Sequence, residues 1–225
     1  MFDPFAEDYL LHARESAYNA YYDRPAVLEA LGPVAGLRVL DVGCGPGLYT
    51  AELVARGAGF VHGIDVSPEM IRLATEAVQG PVEFRVHDLE KPFHWLADGS
   101  FDAAVMALVI HHLDDRVAAL REIARVLRPG GRLVVSTHHP TGDWLRAGGS
   151  YFTVEKIRET WSRGWRVAYW RQPLEVTCAE FATAGFLIEQ LREPRPSQLL
   201  RDRYPETADK LSTEPGFVVF RLLKA

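Results

Sequence analysis

The chain has 225 residues, of which 48% are hydrophobic and 24% charged, and its formal net charge is −5. That length buries a sizeable core, whereas the acidic balance argues against a polyanionic partner such as DNA or RNA. Two distant cysteines, Cys44 and Cys178, set up no disulfide framework, and no apolar run reaches the length of a membrane span. The N-terminus, Met1-Phe2-Asp3-Pro4, has neither the basic region nor the apolar stretch of a signal peptide, so a cytoplasmic protein is expected.

From Ala6 to Leu31 the chain reads as helical and carries an aromatic cluster of Tyr9, Tyr18, Tyr21 and Tyr22, with Pro25 opening the last helical stretch. The residues leave two roles open for this segment: packing against a sheet edge, or a cap over a ligand, with Tyr22 and Tyr18 as its contacts. Leu37 to Leu40 is a short apolar run of the buried-strand type, followed by Asp41 and by three glycines spaced two apart, Gly43, Gly45 and Gly47. Leu48 to Arg56 then reads as a helix. Glycines in such a turn let the backbone come into contact with a ligand, because no Cβ intervenes. Strand, glycine turn and helix together form a nucleotide-type cradle at the carboxyl edge of a parallel sheet. The dinucleotide pattern would place a third glycine where Leu48 stands.

The second strand, Phe60 to Ile64, ends at Asp65, roughly 20 residues beyond the glycine turn, where a ribose diol needs an acceptor. Ser67 fits a helix N-cap, with Pro68 at the first helical position. The third strand, Val82 to His87, ends at Asp88, and the fourth, Phe101 to Leu108, runs into His111-His112. A helix from Asp114 to Leu127 closes at Arg128-Pro129-Gly130-Gly131, and a fifth strand, Arg132 to Ser136, ends at Thr137-His138-His139-Pro140. An insert over 138–173 contains two strand-like stretches, Tyr151 to Trp161 and Trp165 to Arg171, joined at Ser162-Arg163-Gly164. Its interleaved basic and aromatic residues fit either nucleic-acid binding or, the reading favoured here, a solvated strand face backed by an aromatic inner face. The helix Leu174 to Ala184 stops at Gly185; Phe186 to Leu191 and Gly216 to Leu223 are the last strands.

At this point the chain resembles the class I S-adenosylmethionine-dependent methyltransferases, in their small-molecule, type 11-like branch. The carrying residues are VLDVGCGPG (39–47), GIDVSPEM (63–70), HDLE (87–90), FDAAVMALVIHHL (101–113) and LRPGGRLVVS (127–136), in the family's order and spacing. The resemblance implies an α/β fold: a doubly wound, mostly parallel seven-stranded Rossmann-like sheet with an antiparallel last strand and a hairpin insert after strand five. It implies one methyltransferase domain over 1–225, with a helical cap (1–36), a cofactor-binding core (37–137), the insert over the acceptor site (138–173) and the end of the sheet (174–225).

Carried over residue by residue, the resemblance implies S-adenosyl-L-methionine as cofactor. Asp41 and the turn Gly43, Cys44, Gly45 and Gly47 would surround its methionine portion, and Asp65 would accept from the ribose hydroxyls. Val66 and Met70 would supply apolar contact near the adenine, Asp88 would accept from the adenine amino group, Leu89 would lie on the ring, and Ala107 would sit near the sulfur. Methyl transfer asks the protein mainly to hold donor and acceptor at near-attack distance, and needs a base only if the acceptor must lose a proton. His139 or His138 is the expected substrate contact or base, and His112 is expected to pack beneath the following helix. Adjacent histidines on a loop point apart and share no ligand spacing with a carboxylate, so no metal is expected. The expected acceptor is a small, partly apolar molecule; neither nucleic acid nor membrane is expected as a partner, and a homodimer is compatible with the sequence. Two other readings stay open: a cofactor-binding regulatory protein without turnover, and a nicotinamide-dependent oxidoreductase.

Overall fold

The computed structural model describes residues 3–160 and 163–225. The N-terminal helical stretch is interrupted. Helix α1 (Ala6–Glu15) ends at Ser16, a π-helical turn spans Asn19–Asp23, and α2 (Arg24–Leu31) carries Pro25 in its first turn. The core then alternates: β1 (Arg38–Val42), α3 (Leu48–Ala55), β2 (Phe60–Asp65), α4 (Pro68–Ala77), β3 (Val82–Val86), β4 (Phe101–Ala107), α5 (Arg116–Val126) and β5 (Leu127–His138). After β5 come α6 (Pro140–Ala147), a hairpin of β6 (Glu155–Thr160) and β7 (Arg166–Arg171), then α7 (Leu174–Thr183), β8 (Phe186–Arg192), α8 (Gln198–Arg203), α9 (Pro205–Thr213) and β9 (Phe217–Lys224).

Seven strands form one sheet in the order β3-β2-β1-β4-β5-β9-β8, and β6-β7 stand apart as a two-stranded unit. The neighbours from β3 to β5 are parallel, whereas β9 is antiparallel to both β5 and β8. This is the doubly wound sheet with an antiparallel last strand that the sequence implies. The central strands β1, β2, β4, β5 and β9 are buried on both faces while the edge strands β3 and β8 are largely exposed, and the period of two sends alternate residues to opposite sides. Leu40, Val42, Ala104 and Met106 meet α5 and α7 through Leu120, Ile123 and Phe181. Val39, Ala103 and Val105 meet α2 and α3 through Leu28, Leu31 and Leu53.

Some expected boundaries move. Strand β5 begins at Leu127, because Phe101 pairs with Leu127 and Ala103 with Arg132, so residues 128–131 form a bulge instead of a loop after the helix. The insert opens with helix α6, where the sequence reading places no helix, and β6 begins at Glu155 instead of Tyr151. In the hairpin connection, Trp161 and Ser162 lie outside the described residues; Gly164 has φ +80°. Helices α8 and α9 follow the Glu193-Pro194-Arg195-Pro196 break and were not expected from the sequence.

Candidate functional site

The glycine turn is fastened to the second strand. The Gly43 and Cys44 amides both donate to the Ile64 carbonyl, at 2.7 and 2.9 Å, and the Gly45 amide donates to Asp65 Oδ2 at 2.9 Å. All three glycines have positive φ, +71°, +53° and +83°, which only glycine adopts without strain. Asp65 Oδ1 accepts from the Ser67 amide, and Ser67 Oγ caps α4 by accepting from the Met70 amide. The carboxylate at the end of β2 is thereby aimed by backbone on both sides.

A cavity of about 1010 Å³ opens at the carboxyl edge of the parallel strands. Gly43, Gly45, Asp65, Val66, Met70, Asp88, Leu89 and Ala107 line one part of it. Asp88 Oδ1 accepts from the Glu90 amide at 3.0 Å, and Val66, 56% exposed, adds apolar surface to the lining. Tyr9, His12, Ser16, Tyr18 and Asn19 of the N-terminal segment line another part. His111, His112, His138, Asp143, Arg146 and Trp165 line a further region, with Leu211 and Phe217 from the C-terminal part.

Five of the expected residues do not line this cavity. Asp41 is buried beneath the turn, where Thr50 Oγ1 donates to its Oδ2; burial pushes its carboxyl up to about 7. Cys44 is buried, and burial with Asp41 and Asp65 nearby raises its thiol well above the usual range, so it remains a protonated packing group. Gly47 starts α3 as its left-handed N-cap. Tyr22 is buried and donates to the Pro194 carbonyl at 2.8 Å; its ring packs against Phe217, so Tyr18 lines the cavity and Tyr22 supports it from behind. His139 corrects the expected catalytic pair: it turns away, caps α6 by accepting from the Thr141 amide through Nδ1, and meets Glu193 Oε1 through Nε2 at 3.0 Å.

His138 does line the cavity, and its ring is tightly held. It stacks on His111 with centroids 4.2 Å apart and planes 20° apart, and lies parallel to Phe217 at 5.9 Å. Tyr169 meets it edge-on at 4.8 Å. Its Nδ1 lies 3.5 Å from Asp143 Oδ1. Burial, with Arg146 adding to it, pushes the imidazole down to about 3, while burial pushes Asp143 up to about 6 against the pull of Arg146. His112, expected beneath the following helix, instead directs Nδ1 to the Ala168 carbonyl of β7 at 2.9 Å and lines the cavity.

Sequence reasoning missed Leu108, Asp143, Arg146 and the α9 residues. Leu108 is the one described non-glycine residue at positive φ, +57°, held by its amide donating to the Ser136 carbonyl and hydroxyl. Such strain at the mouth of a site marks a position over-determined by its surroundings; no residue type at 108 signals it. Asp143 and Arg146 sit on α6, in a part of the insert to which the sequence reading assigns no element.

Residues 40–135 match the family model described as a methyltransferase domain. Over this region the chain is similar to the class I S-adenosylmethionine-dependent methyltransferases. A solved S-adenosylmethionine-dependent methyltransferase from Mesorhizobium loti is 25% identical, with a TM-score of 0.74 over 94% of this chain and 99% of that one. A structure of the same description from Listeria monocytogenes, 20% identical with a TM-score of 0.79 over 90% and 96% of the two chains, shares the fold. Among curated relatives, a ubiquinone biosynthesis O-methyltransferase of Xanthomonas oryzae pv. oryzae is 39% identical over 133 residues, 51% of this chain and 53% of the relative. A demethylmenaquinone methyltransferase of Tropheryma whipplei is 40% identical over 114 residues, 50% of this chain and 46% of the relative. The chain thus spans about half the length of the curated relatives it matches. The matched family region ends inside β5, so α6, the hairpin connection and α9, which complete the cavity wall, lie outside it.

Proposed function

We propose that this domain transfers the methyl group of S-adenosylmethionine to a small, partly apolar molecule held in the same cavity. The observation that carries the reading is the joint placement of the glycine turn with the strand-end carboxylates Asp65 and Asp88 on one cavity of about 1010 Å³. That size lies at the upper end of small-molecule sites, which leaves room for a second ligand beside a nucleoside.

The donor set fits the proposed cofactor. Asp65, already aimed by two amides, has acceptor capacity for a ribose diol. Asp88 suits an exocyclic amino group, and Val66, Met70 and Leu89 supply the apolar surfaces a flat base needs. Gly45 has open space where a Cβ would stand, so the backbone can approach the amino-acid end of the cofactor. When bound, the cofactor supplies an electrophilic methyl carbon on a positively charged sulfur. The chain's own residues bind, orient and exclude water: Trp165 and the N-terminal tyrosines Tyr9 and Tyr18 wall the cavity, and Leu113, Leu145 and Leu211 make part of it apolar. The relatives named for ubiquinone biosynthesis and for demethylmenaquinone support an acceptor with a ring and an apolar portion. Among the described helices none is long and apolar enough to cross a membrane.

Titration calorimetry tests the reading. S-adenosylmethionine and its demethylated product should bind with micromolar affinity, about −7 to −8 kcal/mol, and Asp65→Ala should weaken binding more than tenfold. Equal binding of NADH, or cofactor binding indifferent to Asp65→Ala, defeats it. Tight binding with no transfer to any acceptor would instead favour a regulatory role.

A further inference from the structure

His138 is sandwiched between two rings, so only its edges remain for chemistry. His111 covers one face at 4.2 Å, Phe217 lies parallel at 5.9 Å, and the edge of Tyr169 closes in at 4.8 Å. The Nδ1 edge faces Asp143: Oδ1 lies 3.5 Å away, and Nδ1 is buried without a hydrogen-bond partner. Asp143 is itself buried, at 6% exposure, and is held in turn by Arg146, whose guanidinium donates to Oδ1 at 2.8 Å and to the Tyr169 hydroxyl. His138, Asp143 and Arg146 all line the cavity proposed above for methyl transfer.

We propose that His138 and Asp143 form a histidine–carboxylate pair at the acceptor end of this cavity, with His138 as the base that takes the proton of a hydroxyl acceptor and Asp143 as its positioning residue. The inference rests on the reading of the site as a methyl-transfer cavity. An ionised carboxylate only accepts hydrogen bonds, so an imidazole facing Asp143 through Nδ1 carries its proton there and keeps the lone pair on Nε2. A separation of 3.5 Å is long for a direct bond; such contacts tighten when the substrate is bound. The surroundings keep the ring neutral before it acts: it is buried, and the cation of Arg146 and the imidazoles of His111 and His112 face it. On β6, Glu159 adds negative charge near Asp143 and Tyr169.

The proton inventory then balances. The O–H bond of the acceptor breaks, its proton goes to Nε2 of His138, and the freed electron pair forms the new bond from oxygen to the methyl carbon. The carbon–sulfur bond breaks with its pair remaining on sulfur, which loses its positive charge. The imidazolium that results lies against the Asp143 carboxylate, which stabilises the charge where it develops. An amine acceptor would be uncharged only after losing a proton to solvent and would not need this pair during transfer. The acceptor class is therefore a hydroxyl compound, and the aromatic walls favour a phenol or a related ring alcohol.

Long-range 15N spectra of imidazole-labelled protein test the pair without any acceptor, with the His138 signals assigned by their loss in His138→Gln. The expected result is the Nδ1–H form of His138, converted to the Nε2–H form or to a mixture in Asp143→Asn. An Nε2–H form of His138 in the native protein overturns the proposal; so do His138 signals unchanged in a folded Asp143→Asn. Catechol, aniline and thiophenol, offered with methyl-labelled cofactor, probe the acceptor atom. Transfer to the catechol oxygen is expected, falling at least 100-fold in His138→Gln while the affinity for the demethylated cofactor stays within twofold. Preference for aniline or thiophenol, or catechol turnover within threefold of native in His138→Gln, overturns it. Cofactor binding measured separately keeps the two readings apart. Binding with the wrong tautomer fails the pair alone, whereas the right tautomer without cofactor binding fails the methyl-transfer reading.

Discussion

Phe5 lies face to face on Trp165, with ring centroids 5.0 Å apart and planes 8° apart, so the start of the chain is stacked on the hairpin inserted after β5. Tyr9 and His12 of α1 pack on the same indole, and Arg163 reaches Asp8 at 2.8 Å. Two segments distant in sequence thus close over the cavity through one buried tryptophan and a surface ion pair. The ring stack contributes about 0.5–1.5 kcal/mol beyond burial, whereas the half-exposed ion pair contributes about 1 kcal/mol or less. Trp165→Ala should therefore open this closure far more than Arg163→Ala. Stopped-flow measurement with the demethylated cofactor should show dissociation about tenfold faster in Trp165→Ala. An unchanged off-rate would mean that ligand exchange takes another path.

The glycines of the turn separate folding from binding. A Cβ at Gly43 would stand 2.4 Å from Val109 Cγ2, whereas one at Gly45 meets nothing within 4 Å, although both positions have positive φ. Gly43→Ala should lose roughly 2–4 kcal/mol of stability through strain and clash combined. Gly45→Ala should cost about 1 kcal/mol, yet weaken cofactor binding at least tenfold, because the new methyl occupies the open side of the cradle. Chemical denaturation and calorimetry on both variants check the contrast, and a reversed order would place the ligand elsewhere.

Asp41 has a pH signature of opposite sign to the usual carboxylate. Burial raises its folded value to about 7 from the ordinary 3.8, so the native state binds more protons than the unfolded state between these limits. Stability from this group is present at low pH and is lost as pH rises from about 4 to 7. His138, pushed down to about 3 from 6.5, acts in the other direction: the unfolded state binds more protons there, and stability rises with pH across that window. Asp41→Asn removes the first contribution and leaves the second. The stability of native protein relative to Asp41→Asn should thus decline as pH rises from 4 to 7. A flat difference would show that Thr50 and the surrounding turn compensate the buried charge fully.

Much of the sheet was legible because its signals are local. Apolar runs such as Leu37 to Leu40 end at Asp41 and Asp65, and Ser67-Pro68 marks a helix start that the structure repeats with a Ser67 hydroxyl cap. The cavity's Asp65, Asp88 and glycine-turn residues could be named for the same reason, since strand ends in such a sheet share one edge. Orientation was not legible. His138 and His139 are adjacent and chemically identical; β5 ends at the first and α6 is capped by the second, which sends their side chains to different surroundings. Tyr18 and Tyr22 divide similarly, because a π-helical turn follows Ser16 and shifts the helical face. Helices α8 and α9 are short and follow two prolines, so neither presents enough period to be read, although α9 brings Leu211 to the cavity.

His139 supplies the complementary prediction. Its Nδ1 accepts from the Thr141 amide at the start of α6, and its Nε2 reaches Glu193 beyond β8, so the ring ties the insert to the chain after the last parallel-running strand. Losing a cap costs about 1 kcal/mol, and losing a half-exposed partner adds about 0.5 kcal/mol. His139→Ala should lower the melting temperature by roughly 3–6 °C for a chain of this size, with cofactor affinity within twofold of native. Because α6 carries Asp143, loosening its first turn should also slow catechol methylation modestly, by about threefold to tenfold. His139→Asn retains a capping side chain and should recover most of both losses. Were His139 itself the proton acceptor, Asn would restore the melting temperature and leave turnover as low as in Ala; calorimetric melting and turnover measured on the two variants together decide between support and chemistry.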